Sequence, residues 1–196
     1  MTKFLSIDIG IKNLGWTYIV VDEIEQRKKA ITKCDECDVS FFQNISELRF
    51  GIYSIDENKT YKDSVVKWRC KKINDFFAMF DSLDYIIIER QVNTNTMAME
   101  LMYAIVMKAM SVVGESNVFI FDPKVKFTFY GEEYTTKNKA HKKYSIAKAT
   151  NILTQEYPEL LDEFNKYNKK DDISDSLNQL LTFLEMRFVP VFSHVN

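Results

Sequence analysis

Apolar and polar positions along the chain follow two kinds of pattern, which together predict five strands and four helices. Continuous or alternating apolar runs favour strands at 3–9, 14–21, 50–55, 85–89 and 117–121. Apolar residues that recur along one face favour helices at 62–81 and 172–187. A strongly apolar stretch favours a helix at 96–113, and a lysine-rich stretch favours one at 138–155. The run that ends at Glu89 is apolar up to that residue, which is typical of a central strand covered on both faces.

The order of these elements indicates the fold class. Three early strands precede strands that alternate with helices, so we expect an α/β fold in which helices flank a mixed five-stranded sheet. The chain has 196 residues, of which 46% are hydrophobic, and it contains no low-complexity linker. We therefore expect residues 1–196 to form a single domain, with a polar stretch of unassigned role at 22–48.

Charge and cysteine content narrow the class of protein. The net charge is only −2, but the stretch between Tyr134 and Gln155 has no acid and five lysines, and a second cluster follows at 166–170. Such patches can neutralise phosphates, although solvated helix ends explain them equally well. We expect no signal sequence and no apolar run near 18 residues, and therefore an intracellular protein without a membrane anchor.

The three cysteines are best explained as reduced thiols in an intracellular protein. Cys34 and Cys37 have the spacing of a zinc knuckle. A complete tetrahedral site would also need two of the distant residues Cys70, His141 and His194. Zinc binding is therefore the less favoured alternative.

Four acids interrupt the apolar patterns in three places. Asp8 and Glu89 lie in or at the end of buried strands, while Asp172 and Asp175 share one face near the start of the last helix. A carboxylate in an apolar strand is costly unless something pairs with it. Carboxylates that converge from distant segments can hold two divalent cations for phosphodiester hydrolysis. Gly10 follows Asp8 and would allow a phosphate backbone to approach closely.

Each acid also has an ordinary structural explanation. Asp8 could bond to backbone groups at a strand end, and Glu89 could pair with Arg90. Asp172 and Asp175 could be solvent-facing acids that the helix dipole favours. Asp171 precedes the predicted helix and is expected to be its N-cap. Only the combination of the four acids favours a metal site.

The sequences around these acids resemble the motifs of a known family. Residues 8–10 (Asp-Ile-Gly) and 13–16 (Asn-Leu-Gly-Trp) resemble the first motif of the RuvC-like Holliday junction resolvases. Residues 87–91 are similar to the second motif, in the form found in poxviral, iridoviral and fungal mitochondrial members, and 169–177 to the third. The resemblance runs from residue 3 to about 187 and implies a ribonuclease-H-like fold.

The resemblance also implies an activity and a ligand set. Family members are homodimeric nucleases that cut four-way junction DNA symmetrically and leave ligatable nicked duplexes, in recombination or in resolving viral replication intermediates. Asp8, Glu89, Asp172 and Asp175 match the acids that hold two Mg²⁺ ions, for which Mn²⁺ substitutes. A viral member would act in a cytoplasmic factory or the nucleus, with the mitochondrion less favoured, and would need neither a membrane nor a small-molecule substrate.

A catalytic lysine is a further implication of the resemblance. The segment 140–146 looks like the family's lysine-bearing segment, and its spacing favours Lys143, with Lys142 second. An ammonium group near the scissile phosphate would stabilise developing charge; a solvated helix lysine is the alternative. The chain departs from the bacterial pattern at 92–95, where no aromatic residue follows the strand glutamate. Junction opening must then use other groups, or the substrate range is broader.

The helix predicted at 96–113 is apolar nearly all round and rich in methionine, so we expect it to be largely buried, partly at a dimer contact. Other functions remain open. They are a ribonuclease-H-like nuclease acting on RNA–DNA hybrids or flaps, a non-catalytic junction-binding protein, and an actin-like ATPase. The chain length and the glycine count argue against the ATPase.

Overall fold

A computed structural model of the protein describes residues 1–33, 41–55, 65–92, 94–134 and 138–190. The strands are β1 (Thr2–Ile9), β2 (Asn13–Val21), β3 (Ile24–Gln26), β4 (Ile45–Ser54), β5 (Tyr85–Glu89), β6 (Val118–Phe121) and β7 (Phe188–Pro190). The helices are α1 (Val65–Phe77), α2 (Thr96–Val113), α3 (Val125–Thr128), α4 (Asn138–Glu156), α5 (Pro158–Lys166) and α6 (Lys170–Arg187).

Five strands form the central sheet in the order β4-β2-β1-β5-β6. The pairs β1–β2 and β2–β4 are antiparallel, whereas β1–β5 and β5–β6 are parallel. The predicted mixed five-stranded α/β sheet is confirmed. The strand predicted at 50–55 is β4, and it begins at Ile45 instead of residue 50. The reason is that alternate residues such as Leu48 and Phe50 face the core along the whole length over which β4 pairs with β2.

The two faces of the sheet carry two separate apolar clusters. Leu5 and Ile7 of β1 belong to the cluster under α1 and α2. Phe4, on the opposite face, belongs to the cluster under α4, α5 and α6. Because side chains alternate along a strand, Ser6 and Asp8 share the face of Phe4. The strand pattern therefore turns Asp8 towards α6.

The elements that the sequence did not predict are short. β3 and β7 form a separate antiparallel ribbon of three residues each, and α3 has four residues. α5 is separated from α4 because Pro158 disfavours helical geometry at the preceding Tyr157, which has φ −142° and ψ 57°. Runs of three or four residues, as in β3, β7 and α3, carry too little periodicity for detection. The nine residues of α5 do carry an apolar stripe, which was overlooked.

Some predictions fall outside the described residues. These are the zinc ligands Cys34 and Cys37, and the start of the helix predicted at 62–81. The described part of that helix ends at Phe77 instead of 81. Cys70 is a free, exposed thiol.

The helix α2 differs from the prediction in two respects. It has 18 residues with mean hydropathy 1.4, so it is long and apolar enough to span a membrane, contrary to our expectation that no such run exists. Helices in the core of a soluble protein can be equally long and apolar, so this finding alone is weak evidence for a membrane span. α2 is also not largely buried, because it forms an outer layer with one stripe facing β5 and α1. The buried residues of that stripe are Ala98, Leu101, Met102, Ile105 and Ala109.

Candidate active site

Asp8 and Glu89 lie side by side at the carboxyl ends of two parallel strands. The preceding residues Ile7 and Ile88 are partners in the β1–β5 register. Ile87 belongs to the cluster under α6, so Glu89, two residues further along β5, faces α6 as Asp8 does. Arg90 does not pair with Glu89, as one alternative held, because its Nη2 lies 2.5 Å from Oδ2 of Asp122. The two strand acids therefore point to the same place.

The first turns of α6 bring the other two acids to this edge. Gly15 is the partner of Asp8 across the β1–β2 pair. A Cβ atom at Gly15 would overlap the carbonyl oxygen of Asp172 and lie 2.9 Å from its Cβ. Only glycine at this position lets α6 rest so closely on the sheet. Asp172 and Asp175, three residues apart on α6, consequently lie beside Asp8 and Glu89.

Buried hydrogen bonds fix the rotation of α6. Gln179 Nε2 donates to Ser6 Oγ at 3.0 Å, and the hydroxyl oxygens of Thr17 and Ser176 are 2.8 Å apart. Such bonds each contribute about 1 kcal/mol net, but an unmade one costs more. They lie on the helix face that carries the acids. The polar stripe of α6 thus aims Asp172 and Asp175 at the sheet.

A buried lysine that sequence reasoning missed joins the acids. Lys126 on α3 is 3% exposed, and its Nζ donates to Asp175 Oδ1 at 2.7 Å and to Glu89 Oε2 at 3.2 Å. Burial by itself would lower the pKa of Lys126, but Glu89, Asp175 and Asp8 together raise it. One signal could have identified it: Lys126 closely follows the carboxyl end of β6, at the edge where the strand acids end.

A serine on α4 completes the contacts of Asp175. Ser145 Oγ donates to Asp175 Oδ1 at 2.7 Å, and Asn178 Nδ2 donates to the carbonyl oxygen of Ser145 at 3.0 Å. Sequence reasoning missed this residue too, because a lone serine within a helix carries no distinguishing pattern. The two bonds hold the middle of α4 against the acids of α6.

Negative charge exceeds positive charge at this edge. Burial raises the pKa of Asp8 well above its usual value, and Glu89 and Asp175 raise it further, against the opposing charge of Lys126. Burial also raises the pKa of Asp172, with Asp171 adding to the effect. A group of carboxylates in this state favours the uptake of cations or protons. Among the described residues, no three His, Cys, Asp or Glu side chains form a ready-made metal cluster.

The lysines predicted from the resemblance lie on α4. Lys142 Nζ donates to Asp171 Oδ2, whereas Lys143 is exposed. Burial would raise the pKa of Asp171, but its hydrogen bond and charge interaction with Lys142 outweigh burial and lower the pKa. The prediction that Asp171 caps α6 is wrong, because the helix begins at Lys170 and its N-cap position is Lys169. The preference for Lys143 over Lys142 stays a prediction.

An open cleft of about 210 Å³ leads to the acids. Its floor includes Glu89, Lys126 and Asp175, and Lys142 lies on its wall. The cleft therefore joins the carboxylates and the basic helix α4 in one accessible site that can bind a phosphate-bearing ligand.

A comparison with protein families finds a match that covers most of the chain. A sequence model of the family described as "Poxvirus A22 protein" matches residues 3–187. No curated protein sequence matches the chain.

Comparison with solved structures identifies the fold. The fowlpox virus Holliday junction resolvase is 20% identical, with a TM-score of 0.58 over 94% of this chain and 98% of that one. The yeast mitochondrial Holliday junction resolvase is 17% identical, with a TM-score of 0.58 over 94% of this chain and 80% of that one. RuvC of Thermus thermophilus is 13% identical, with a TM-score of 0.53 over 97% and 100% of the two chains. The fold is therefore the ribonuclease-H-like fold of RuvC, as predicted.

Proposed function

The chain belongs to the poxvirus A22 protein family, and from that premise we propose that it is a Holliday junction resolvase. It would cut four-way DNA junctions symmetrically and leave ligatable nicked duplexes, in recombination and in resolving replication intermediates. The observation that carries the proposal is the meeting of Asp8, Glu89, Asp172 and Asp175, from three distant segments, at one edge of a RuvC-like sheet. A fowlpox virus resolvase of this fold has been solved with its substrate Holliday junction DNA.

The donor set fits divalent metal ions of the magnesium type. All four candidate ligands are carboxylates, which Mg²⁺ and Mn²⁺ prefer over nitrogen or sulfur donors. Two such ions, when bound, would activate a water molecule and stabilise the leaving oxygen of a phosphodiester. Because burial raises the pKa values of Asp8 and Asp172, protons compete with metal ions for these carboxylates more strongly than they would at exposed aspartates.

Lys126 has a distinct part in this proposal. It neutralises part of the charge on Glu89 and Asp175 and keeps both carboxylates oriented towards one point. Ser145 holds Asp175 from the other side. These contacts preserve the arrangement of the acids between catalytic cycles, so that little reorganisation accompanies substrate binding.

The lysines of α4 and α6 would position the DNA. Ser145 on α4 contacts Asp175, and Lys142, three residues earlier on the same helix face, lies near Asp171, Asp172 and Asp175. The exposed Lys143 precedes Ser145 by two residues and lies on another side of α4. We retain Lys143 as the candidate phosphate contact, with Lys142 restrained by its ion pair with Asp171. The remaining lysines of both clusters would neutralise phosphates further along the strands.

A homodimer would explain symmetric cutting, because two copies related by a two-fold axis present two sites to two strands. The exposed apolar side chains of α2 are the proposed contact. They include Met97, Tyr103, Met107 and Val112, which are 42% to 68% exposed. The dimer would act wherever junction DNA forms, in a cytoplasmic factory or in the nucleus.

The test is cleavage of a four-way junction with Mg²⁺ or Mn²⁺, beside a flap and an RNA–DNA hybrid of matched sequence. We expect the junction to be cut fastest and Asp8→Asn and Glu89→Gln to abolish cutting. Asp75→Asn is the matched control, because Asp75 is an exposed acid paired with Lys71 on α1.

Three results would contradict the proposal. Faster cutting of the hybrid or the flap would favour a different nuclease, and junction binding without cleavage in Mn²⁺ would indicate a binding protein. Full activity in Asp8→Asn would refute the metal site.

A further inference from the structure

Three aromatic rings meet at the mouth of the cleft that leads to the acids. The rings of Tyr134 and His141 are stacked, with centroids 4.4 Å apart and planes inclined by 26°. The ring of Phe127 lies 4.7 Å from that of His141 and 5.7 Å from that of Tyr134. We refer to these three residues as the aromatic cluster. It is a preformed stack beside the reaction site.

Two residues of the aromatic cluster are sequence neighbours of lysines that bond to acids at the site. Phe127 directly follows Lys126, which bonds to Glu89 and Asp175. His141 directly precedes Lys142, whose partner is Asp171. Phe127 is buried and anchors the cluster, while Tyr134 and His141 are half-buried and line the cleft. Part of their ring surface therefore faces the space that a DNA strand would enter.

Two lysines lie near the aromatic cluster. Lys124 Nζ lies 5.5 Å from the centroid of the Tyr134 ring, and Lys142 lines the same cleft. Aromatic rings flanked by lysines suit single-stranded nucleic acid, because the base stacks on the ring and the cation attracts the phosphate.

We propose that Tyr134 and His141 form a stacking site for an unpaired DNA base next to the phosphodiester held at the four acids. The proposal rests on the proposed function and adds to it how the strand is held open. At the crossover of a four-way junction a strand leaves the regular helical path, and in this proposal the phosphodiester at that point enters the cleft. The adjacent base then loses a stacking partner, and the aromatic cluster replaces it.

The test compares two junctions that differ in one base. The first is fully paired, and the second carries a mismatch at the nucleotide beside the cleavage position, so that its base is already loosened. Single-turnover cleavage rates in Mg²⁺ are measured for the unmodified protein, Tyr134→Leu, Tyr134→Phe and His141→Leu. Tyr157→Leu is the matched control, since Tyr157 is also a half-buried tyrosine in a ring contact, at the far end of α4.

We expect Tyr134→Leu and His141→Leu to slow cleavage of the paired junction about tenfold. The loss should be less than about threefold on the mismatched junction, where unstacking has already occurred. Tyr134→Phe keeps the ring and should cut both junctions at the rate of the unmodified protein. Tyr157→Leu should leave the ratio of the two rates unchanged.

Two results would overturn the stacking site alone: an equal loss on both junctions, or no loss on either. If Tyr134→Leu does not fold, His141→Leu on the same pair of junctions decides between these outcomes. Failure of the unmodified protein to cut either junction would instead contradict the proposed function, and with it the premise of the stacking site.

Discussion

The two faces of the central sheet bury side chains of different kinds. The face under α1 and α2 is filled by apolar residues such as Leu5, Ile7 and Ile88. The face under α6 mixes apolar residues with buried polar ones, among them Ser6 and Gln179, and ends in the four acids. Buried hydrogen bonds such as that from Gln179 Nε2 to Ser6 Oγ add little net stability, but they fix the geometry of the groups that they join. The first face therefore mainly stabilises the fold, while the second mainly orients the site.

Among the substitutions that test the difference between the two faces, Lys126→Met should have the largest effect on stability and on cleavage. The change removes the positive charge between Glu89 and Asp175 and leaves buried carboxylates uncompensated. We expect a loss of about 3 kcal/mol in the free energy of unfolding in metal-free buffer. Cleavage should fall about a thousandfold, as when a group that stabilises charge in an active site is removed.

Urea unfolding and single-turnover cleavage measure these two effects. Lys71→Met, which breaks an exposed ion pair with Asp75, should leave the unfolding free energy almost unchanged, because solvent screens that pair. If Lys126→Met were no less stable than Lys71→Met, the ion pairs of Lys126 with Glu89 and Asp175 would contribute nothing to stability.

On the apolar face, Ile7→Ala should affect stability without affecting chemistry. Ile7 is fully buried under α1 and α2, so its truncation should cost about 3 kcal/mol in the free energy of unfolding. The cleavage rate of the folded fraction at low temperature should stay within about threefold of the unmodified rate, because the side chain points away from the acids. A large loss of rate in a fully folded sample would contradict the division between the faces.

On the face under α6, Gly15→Ala should have the opposite result to Ile7→Ala and should reduce the cleavage rate. The added Cβ would collide with the backbone of Asp172 and displace the start of α6. A displacement near 1 Å typically costs about a hundredfold in rate, so we expect that loss in cleavage. Gly131→Ala, at a position with open space around it but a φ of 76°, provides a control for backbone strain alone. Equal activity losses in both variants would show that the close approach of α6 is unimportant.

The smallest effect should come from Lys148→Met, which tests a polar group on the α6 side that the site does not use. Burial lowers the pKa of Lys148 to about 8, although Glu185 opposes the shift. The unfolded chain, with a lysine pKa of about 10.4, binds this proton more tightly, so the buried amine costs stability below pH 8. That cost disappears as the pH rises towards about 10.4.

Lys148→Met should therefore raise the free energy of unfolding by about 2 kcal/mol at pH 7, after allowance for the lost contact with Tyr130. The gain should shrink at pH 10. Urea unfolding at both pH values measures it, with the exposed Lys67→Met on α1 as a control. A gain that stays constant with pH would show that lost charge burial is not its cause.

Prediction from the sequence succeeded where the pattern is long and local. The strands β1, β2 and β5 and the helices α2, α4 and α6 are long for their kind or strongly apolar or lysine-rich, and they were predicted to within about two residues. The elements β3, β7 and α3 have only three or four residues and were missed, because tertiary pairing rather than local pattern determines them. The nine-residue helix α5 was overlooked although it carries an apolar stripe.

The site was only partly predictable for the same reason. Acids in apolar strands break a pattern and are visible in a sequence, as Asp8 and Glu89 were. Lys126 breaks none: its role depends on where α3 meets β5 and α6 in space. Asp171 was misassigned because α6 begins at Lys170, two residues before the predicted start at 172.

The most direct test of the metal-binding acids is a crystal of the protein grown with Mn²⁺ and measured at a wavelength where manganese scatters anomalously. We predict two anomalous peaks about 4 Å apart within ligand distance of Asp8, Glu89, Asp172 and Asp175, and none in crystals of Asp8→Asn. Manganese bound only elsewhere on the protein, or no peak at these carboxylates, would contradict the assignment of the four acids as the catalytic site.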